Sequence, residues 1–111
     1  MSPAEVLNPA RALFDQIARD LAVNYDGITT GQIFGKACIK THGKALAAFF
    51  QGDIALKLAG DHHQAALALE GAQLWDPSGK HRPMKEWVQI PFACAQAWPD
   101  LAAQALKYVE Q

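Results

Sequence analysis

The chain has 111 residues, of which 50% are apolar and 19% are charged. This length and composition exclude an intrinsically disordered chain and predict a single globular domain over residues 1–111. The formal net charge of −1 at pH 7 excludes a global electrostatic attraction to nucleic acid or to an anionic membrane.

The sequence also carries information about the compartment. No apolar run approaches the length of a membrane span, and residues 1–5 lack the basic and apolar regions of a signal peptide. Cys38 and Cys94 lie among apolar residues without CxxC spacing, which is typical of reduced core cysteines in a cytosolic protein. A disulfide between them has no support in the sequence. We therefore expect a cytoplasmic protein with no membrane partner.

The first predicted element is an amphipathic helix that begins at Asn8-Pro9 and ends near Gly27. Asn8 can cap exposed amides, and Pro9 suits the first helical position. Apolar residues then recur at helical spacing at Ala10, Leu13, Phe14, Ile17 and Leu21. This apolar stripe is expected to cover a sheet.

Strands and two further helices follow. Strands are predicted at residues 30–34, 37–41, 44–50, 53–58 and 86–90, a short helix at residues 62–69, a surface loop at residues 76–83, and a final helix from Pro99-Asp100. His42-Gly43 and Gln51-Gly52 fit tight hairpin turns because glycine tolerates positive φ. The chain is therefore predicted to be an α+β two-layer sandwich, an antiparallel sheet of about five strands covered by helices, in the order helix, strands, helix, strand, helix.

The predicted strands place a strongly apolar face on one side of the sheet and a mixed face on the other. In the third strand, Leu46, Ala48 and Phe50 are expected to oppose Ala45, Ala47 and Phe49. The mixed face combines small apolar residues with Lys40 and Lys57. We expect helices to cover the apolar face and to leave the mixed face partly open for dimerisation or a partner.

Three tryptophans are assigned to packing. Trp75 and Trp87 are predicted to fill the space between sheet and helices, since large aromatic residues in small domains are usually buried. Stacking on bases and lining a pocket are the alternatives for these two residues. Trp98, immediately before Pro99, is predicted to pack the entry to the last helix.

Positive charge is concentrated in the middle of the chain. Residues 36–85 hold seven Lys or Arg and four Asp or Glu, a net charge of +3. The candidate anion- or nucleic-acid-binding residues are Lys36, Lys40, Lys57, Lys80, His81, Arg82 and Lys85. The alternative is that these side chains decorate a solvated sheet face and an ordinary surface loop.

No catalytic or metal-binding pattern is present. His62 and His63 point about 100° apart on a helix and lack the spacing of metal ligands. Cys38 has no recognisable base or oxyanion hole, and Gly79-Lys80 lacks the rest of a phosphate-binding loop. We therefore expect no catalytic, cofactor-binding or metal-binding residues, and a protein that is not an enzyme.

Several short motifs resemble the N-terminal domain of the TfoX/Sxy family of competence regulators. These motifs are Ile33-Phe34-Gly35, Gly43-Lys44 with Ala47, Leu56-Lys57-Leu58, Trp75, Met84-Lys85-Glu86-Trp87-Val88, and Pro91. The resemblance runs from about residue 8 to about residue 109, and it implies a two-layer α+β domain similar to YjbR-like proteins and secretion chaperones. Because the full regulators carry a second, helical domain, the chain is expected to be a stand-alone N-terminal domain.

The expected function is that of a small regulatory module that acts by binding a protein partner or a second copy of itself. One alternative is weak nucleic-acid binding through the basic loop and the sheet face, which would weaken steeply with salt. The other is a small-ligand-binding protein or enzyme with a pocket near Trp75, Arg82 and Lys85.

Overall fold

A computed structural model describes residues 3–111, with side chains from residue 9 onward. These residues form one sheet of six antiparallel strands and three α-helices. The elements are α1 (Pro3–Asn24), β1 (Ile28–Ile33), β2 (Lys36–Thr41), β3 (Lys44–Phe50), β4 (Asp53–Lys57), α2 (Gly60–Leu67), β5 (Gln73–Trp75), β6 (Met84–Ile90), a 3₁₀ segment (Phe92–Ala97) and α3 (Trp98–Glu110). The strand order is β1-β2-β3-β4-β6-β5. The α+β sandwich predicted from the sequence is confirmed.

Three consecutive hairpins build the first four strands. Their two-residue turns are Phe34-Gly35, His42-Gly43 and Gln51-Gly52, and in each pair both residues have positive φ. Turns of this kind match the right-handed twist of the flanking strands. The two glycine turns predicted from the sequence are therefore confirmed, and the break before Lys36 is a third turn of the same type.

The element boundaries differ from the predictions in two main places. Helix α1 begins at Pro3, so the predicted start at Pro9 is wrong and Pro9 lies inside the helix. Pro3 satisfies the same first-turn preference six residues earlier, while the side chain of the predicted cap Asn8 lies outside the described residues. Strand β5 was not predicted because its three residues are too few to show an alternating pattern.

The helices cover one face of the sheet. Phe14 and Ile17 of α1 and Leu106 of α3 pack against Ile39 and Leu56 of the central strands, and all five side chains are buried. This is the larger of the two apolar clusters among the described residues and forms the main core of the fold. It also buries Trp98 at the start of α3, as predicted.

A bulge changes which side chains share a face. The register between β2 and β3 shifts between Ile39 and Lys40. As a result Leu46 and Ala47 both lie in the helix-side core, whereas Ala48 lies in the second cluster on the other face. The strict alternation predicted for the third strand is wrong because a bulge inserts one extra residue into the ladder.

Candidate binding face

The face of the sheet that points away from the helices is curled. Although β1 and β5 are the two edges of the sheet, the rings of Phe34, just after β1, and Trp75 of β5 are only 6.2 Å apart. The two edges can approach this closely only if the sheet wraps around the face between them. We call this surface the concave face.

Small side chains on the central strands make the curl possible. Cys38, Ala48 and Ala55 lie on the concave face, where they are buried beneath Trp75 and Trp87. Large residues fit over small ones without leaving voids, so Trp75 of β5 and Trp87 of β6 supply the bulk that the central strands lack. Trp75 and Trp87 therefore fill the concave face, and the prediction that they lie between sheet and helices is wrong.

Trp75 forms the centre of this aromatic packing. Its ring lies 5.2 Å from that of Trp87 and 5.8 Å from that of Phe50, measured between centroids. The side chain is fully buried, and its Nε1 has no hydrogen-bond partner in the described part of the chain. Sequence patterns could not find this arrangement, because it depends on contacts between opposite edges of the sheet.

A groove of about 750 Å³ opens beside Trp87. Its lining residues are Ile33, Phe34, Lys44, Ala45, Lys57, Met84, Trp87, Tyr108, Val109 and Gln111. Phe34 is 61% exposed, although it is a large apolar side chain held in a tight turn. The groove thus combines an apolar floor with an exposed aromatic ring.

Charged and polar groups line one part of the groove. Lys57 Nζ lies 3.9 Å from Glu86 Oε2, and the Tyr108 hydroxyl donates a hydrogen bond to the other oxygen of the same carboxylate. This hydrogen bond, together with the negative charge of Glu86, raises the pKa of Tyr108 above its ordinary value. Lys44 contributes a second cation to the lining.

Two more of the predicted lysines lie on the concave face. Lys36 Nζ is 5.5 Å from the centroid of the Phe50 ring, a cation–π contact. The Lys40 side chain passes over Gly31, where a β-carbon would lie 3.6 Å from its Cε and Nζ. Lys40 and Lys57 therefore share the mixed face, as the sequence predicted.

The basic loop is organised around an acidic side chain. The Asp76 carboxylate accepts hydrogen bonds from the Ser78 and Gly79 amides at 3.1 and 3.2 Å, from the Ser78 hydroxyl at 2.6 Å, and from the Arg82 amide at 3.0 Å. The bond from the Ser78 hydroxyl is the main cause that lowers the pKa of Asp76. Loop amides that could hold an anion are therefore already occupied by a carboxylate of the chain.

The remaining candidate side chains are dispersed. Lys80, His81 and Arg82 are exposed on the loop, and Lys85 is exposed at the start of β6. Because Trp75 is fully buried, it does not form an accessible pocket with Arg82 and Lys85; the groove forms beside Trp87 instead. The structure brings Lys36, Lys40 and Lys57 onto one face and leaves the loop residues outside it.

The histidine and cysteine candidates take up structural positions. His63 Nε2 is 2.8 Å from the Lys85 carbonyl oxygen, which ties α2 to the start of β6. Cys38 is buried, and this burial raises the pKa of its thiol. In the part of the chain that the structure describes, no three His, Cys, Asp or Glu side chains cluster so that they could hold a metal ion.

Sequence reasoning missed several groove residues. Phe34 carried a usable signal, since an aromatic residue in a two-residue turn between strands must point outward or pack across the sheet. Tyr108 carried no such signal, because its position depends on how the end of α3 meets the ends of β4 and β6.

Comparisons with known proteins identified no similar protein. No family model matches the chain, and neither a curated protein nor a solved structure matches it at a significant level. Among residues 3–111, none of the helices has the length and apolarity that spanning a membrane requires.

Proposed function

We propose that the chain is a small, non-enzymatic, cytoplasmic binding module of the TfoX/Sxy N-terminal type, which holds a segment of a protein partner in the groove of the concave face. The observation that carries the proposal is the exposed Phe34 ring beside Trp87 and Met84 in a groove of about 750 Å³. Aromatic residues that stay accessible next to an apolar floor are typical anchors of protein interfaces.

The turn that carries Phe34 makes it a preorganised anchor. Phe34 and Gly35 have φ values of 53° and 75°, and they join two strands that are paired in a regular register. The ring also touches the fully buried Trp75, which limits its movement. A partner that packs on a side chain already held in place loses less conformational entropy on binding.

The charge of the groove predicts the chemistry of the partner. Lys44 contributes a cation to the lining, and Lys57 adds a second one whose charge is partly balanced by Glu86 at 3.9 Å, beside the apolar side chains of Phe34, Met84 and Trp87. A complementary segment carries an aromatic or aliphatic residue for the apolar floor and Asp or Glu next to it for the lysines. The proposed partner is therefore an acidic peptide segment with an apolar anchor.

The test is selection of binding peptides from a random display library, followed by affinity measurements on variants. Phe34→Asn removes the ring and keeps a residue that tolerates positive φ. Val23→Asn is the matched control, because Val23 is 84% exposed on α1 and does not line the groove. Circular dichroism of both variants checks that each is folded.

We expect selected peptides to combine an apolar residue with acidic ones. We expect Phe34→Asn to weaken their binding by roughly tenfold or more, the scale of an interface anchor, and Val23→Asn to leave it unchanged. Peptides without acidic bias, or equal binding by both variants, would place the interaction elsewhere and overturn the proposal.

Single-stranded nucleic acid is the second candidate partner. The observation that favours it is that Lys36, Lys40 and Lys57 share the concave face with the exposed ring of Phe34, as in surfaces where bases stack between cations. Fluorescence anisotropy of labelled single strands at low and physiological salt tests it. Binding that falls steeply with salt and needs Phe34 would support this candidate, and no binding at low salt would eliminate it.

A further inference from the structure

Strand β1 is an edge strand whose own residues lack the usual protection against pairing. Its sequence, Ile-Thr-Thr-Gly-Gln-Ile, contains no charged residue and no proline, and all six residues pair with β2 without a bulge. The four central residues are exposed. Edges of monomeric proteins are normally blocked by charges, prolines, bulges or a covering element, because an open edge pairs with another strand.

The direction of the free backbone groups follows from the ladder. The His42 amide donates to the Gly27 carbonyl oxygen at 2.9 Å, so Gly27 is a hydrogen-bonded position facing β2. Inward and outward positions alternate along an antiparallel strand. Ile28, Thr30 and Gln32 therefore direct their amide and carbonyl groups away from the sheet, where β1 has no further neighbour among residues 3–111.

We propose that β1 is a homodimerisation edge, which pairs antiparallel with β1 of a second copy around a two-fold axis at Thr30. In this register Thr30 lies opposite Thr30 of the second copy, and Ile28 lies opposite Gln32 on either side. Each of these three pairs exchanges two hydrogen bonds, roughly six in total. The edge is self-complementary, as a two-fold interface requires.

The surroundings of the edge favour a second copy over an isolated peptide. A groove of about 570 Å³ runs between α1 and β1, and its lining includes Asp15, Ala18, Arg19 and Ala22. A two-fold axis at Thr30 places this groove against the same groove of the second copy, whereas an isolated peptide strand would leave it open. Asp15 is already paired with Arg11 at 3.0 Å, and exposed ion pairs contribute little affinity, so the strand pairing and not these charges would hold the dimer together.

The proposed pairing uses residues 28–32 of β1, and only Ile33 of this strand lines the groove beside Trp87, so the edge can be tested separately from the proposed function. Sedimentation equilibrium of the wild-type chain over a wide concentration range should show twice the mass of one chain. Thr30→Lys places two like charges directly opposite each other at the axis and should shift the protein to the monomer. Gln73→Lys, on the other edge strand β5, is the matched control and should leave the dimer intact.

A cross-linking experiment reports the register independently of stability. In the proposed pairing, the Cα atoms of Thr30 in the two copies are about 5.5 Å apart, within the range of a disulfide. Those of Thr29 are diagonal neighbours about 7 to 8 Å apart, beyond that range. In a background that carries Cys94→Ser, Thr30→Cys should form a covalent dimer on mild oxidation and Thr29→Cys should not.

Two results would overturn the proposal. One is a wild-type chain that remains a monomer at the highest concentration and a Thr30→Cys variant that does not cross-link. The other is a dimer that persists in Thr30→Lys and cross-links equally through Thr29→Cys, since that dimer would use another surface. Either result would leave the peptide selection on the groove unaffected.

Discussion

The two fully buried tryptophans of this fold differ in one hydrogen bond. The same substitution should therefore lower the free energy of unfolding by different amounts at the two positions. Trp75 and Trp98 are both 0% exposed. Trp98 Nε1 donates to the Pro91 carbonyl oxygen at 3.2 Å, whereas Trp75 Nε1 has no partner among the described residues. Replacing each by phenylalanine removes the same atoms from a packed core, so this common loss largely cancels in the comparison.

The remaining difference comes from the two N–H groups. Trp98→Phe gives up a hydrogen bond with a net worth of about 0.5–1.5 kcal/mol, and the Pro91 oxygen keeps the Cys94 amide as a donor at 2.9 Å. Trp75→Phe removes a buried donor whose desolvation is uncompensated, which relieves about 1–3 kcal/mol. Trp98→Phe should therefore lower the free energy of unfolding by about 1.5–4.5 kcal/mol more than Trp75→Phe.

Urea denaturation followed by far-ultraviolet circular dichroism measures this difference without relying on tryptophan fluorescence. Equal denaturant slopes would show that each variant unfolds to a similar ensemble, so that the midpoints report stability. An equal loss of stability in the two variants, or a larger loss in Trp75→Phe, would contradict this prediction. Such a result would mean that the Trp75 N–H is satisfied, for example by an ordered water within the aromatic packing.

Three further outcomes follow from the structure. Ala48→Leu should lower the free energy of unfolding by about 1–3 kcal/mol in the same assay, because it overfills the packed side of the curled sheet; an unchanged midpoint would show spare room there. Alkaline absorbance titration should place the pKa of Tyr108 above the ordinary tyrosine value, and Glu86→Gln should lower it; the stability linked to this raised pKa is lost as pH rises through it. A thiol reagent should label Cys94 in the native protein and Cys38 only after unfolding, because burial shields the Cys38 thiol and raises its pKa. Mass spectrometry measures the labelling, and similar labelling rates for the two cysteines in the native protein would contradict this.

Local patterns were sufficient to predict most of the fold. The glycines at positions 43 and 52 specify hairpin turns through their positive φ, and a contiguous meander follows from them. The apolar stripe of α1 predicted a helix that covers the sheet, and Phe14 and Ile17 do lie in the core. These features depend on residues close together in sequence, where spacing and backbone preference carry the information.

The positions of Trp75 and Trp87 and of the groove could not be predicted, because they depend on contacts between residues far apart in the sequence. Trp75 and Trp87 were assigned to the helix side because aromatic residues seek burial, but burial also exists on the concave face once the edges curl together. The groove could not be located for the same reason, since Phe34, Met84 and Tyr108 meet there from distant parts of the chain. Lys40 and Lys57 were placed correctly because alternation along a single strand determines their face.

The two proposed surfaces fit together in one assembly. A two-fold axis that pairs β1 edge to edge is perpendicular to the sheet, so it keeps the helices of both copies on one side and the concave faces on the other. Both grooves, each with its own Phe34 and Lys57, would then face the same direction. A partner with two acidic segments could occupy both, and the second contact would form at the high effective concentration set by the first. The dimer edge would therefore raise the affinity for such a partner without contacting it. Thr30→Lys should weaken the binding of a partner with two acidic segments and leave the binding of a single segment unchanged.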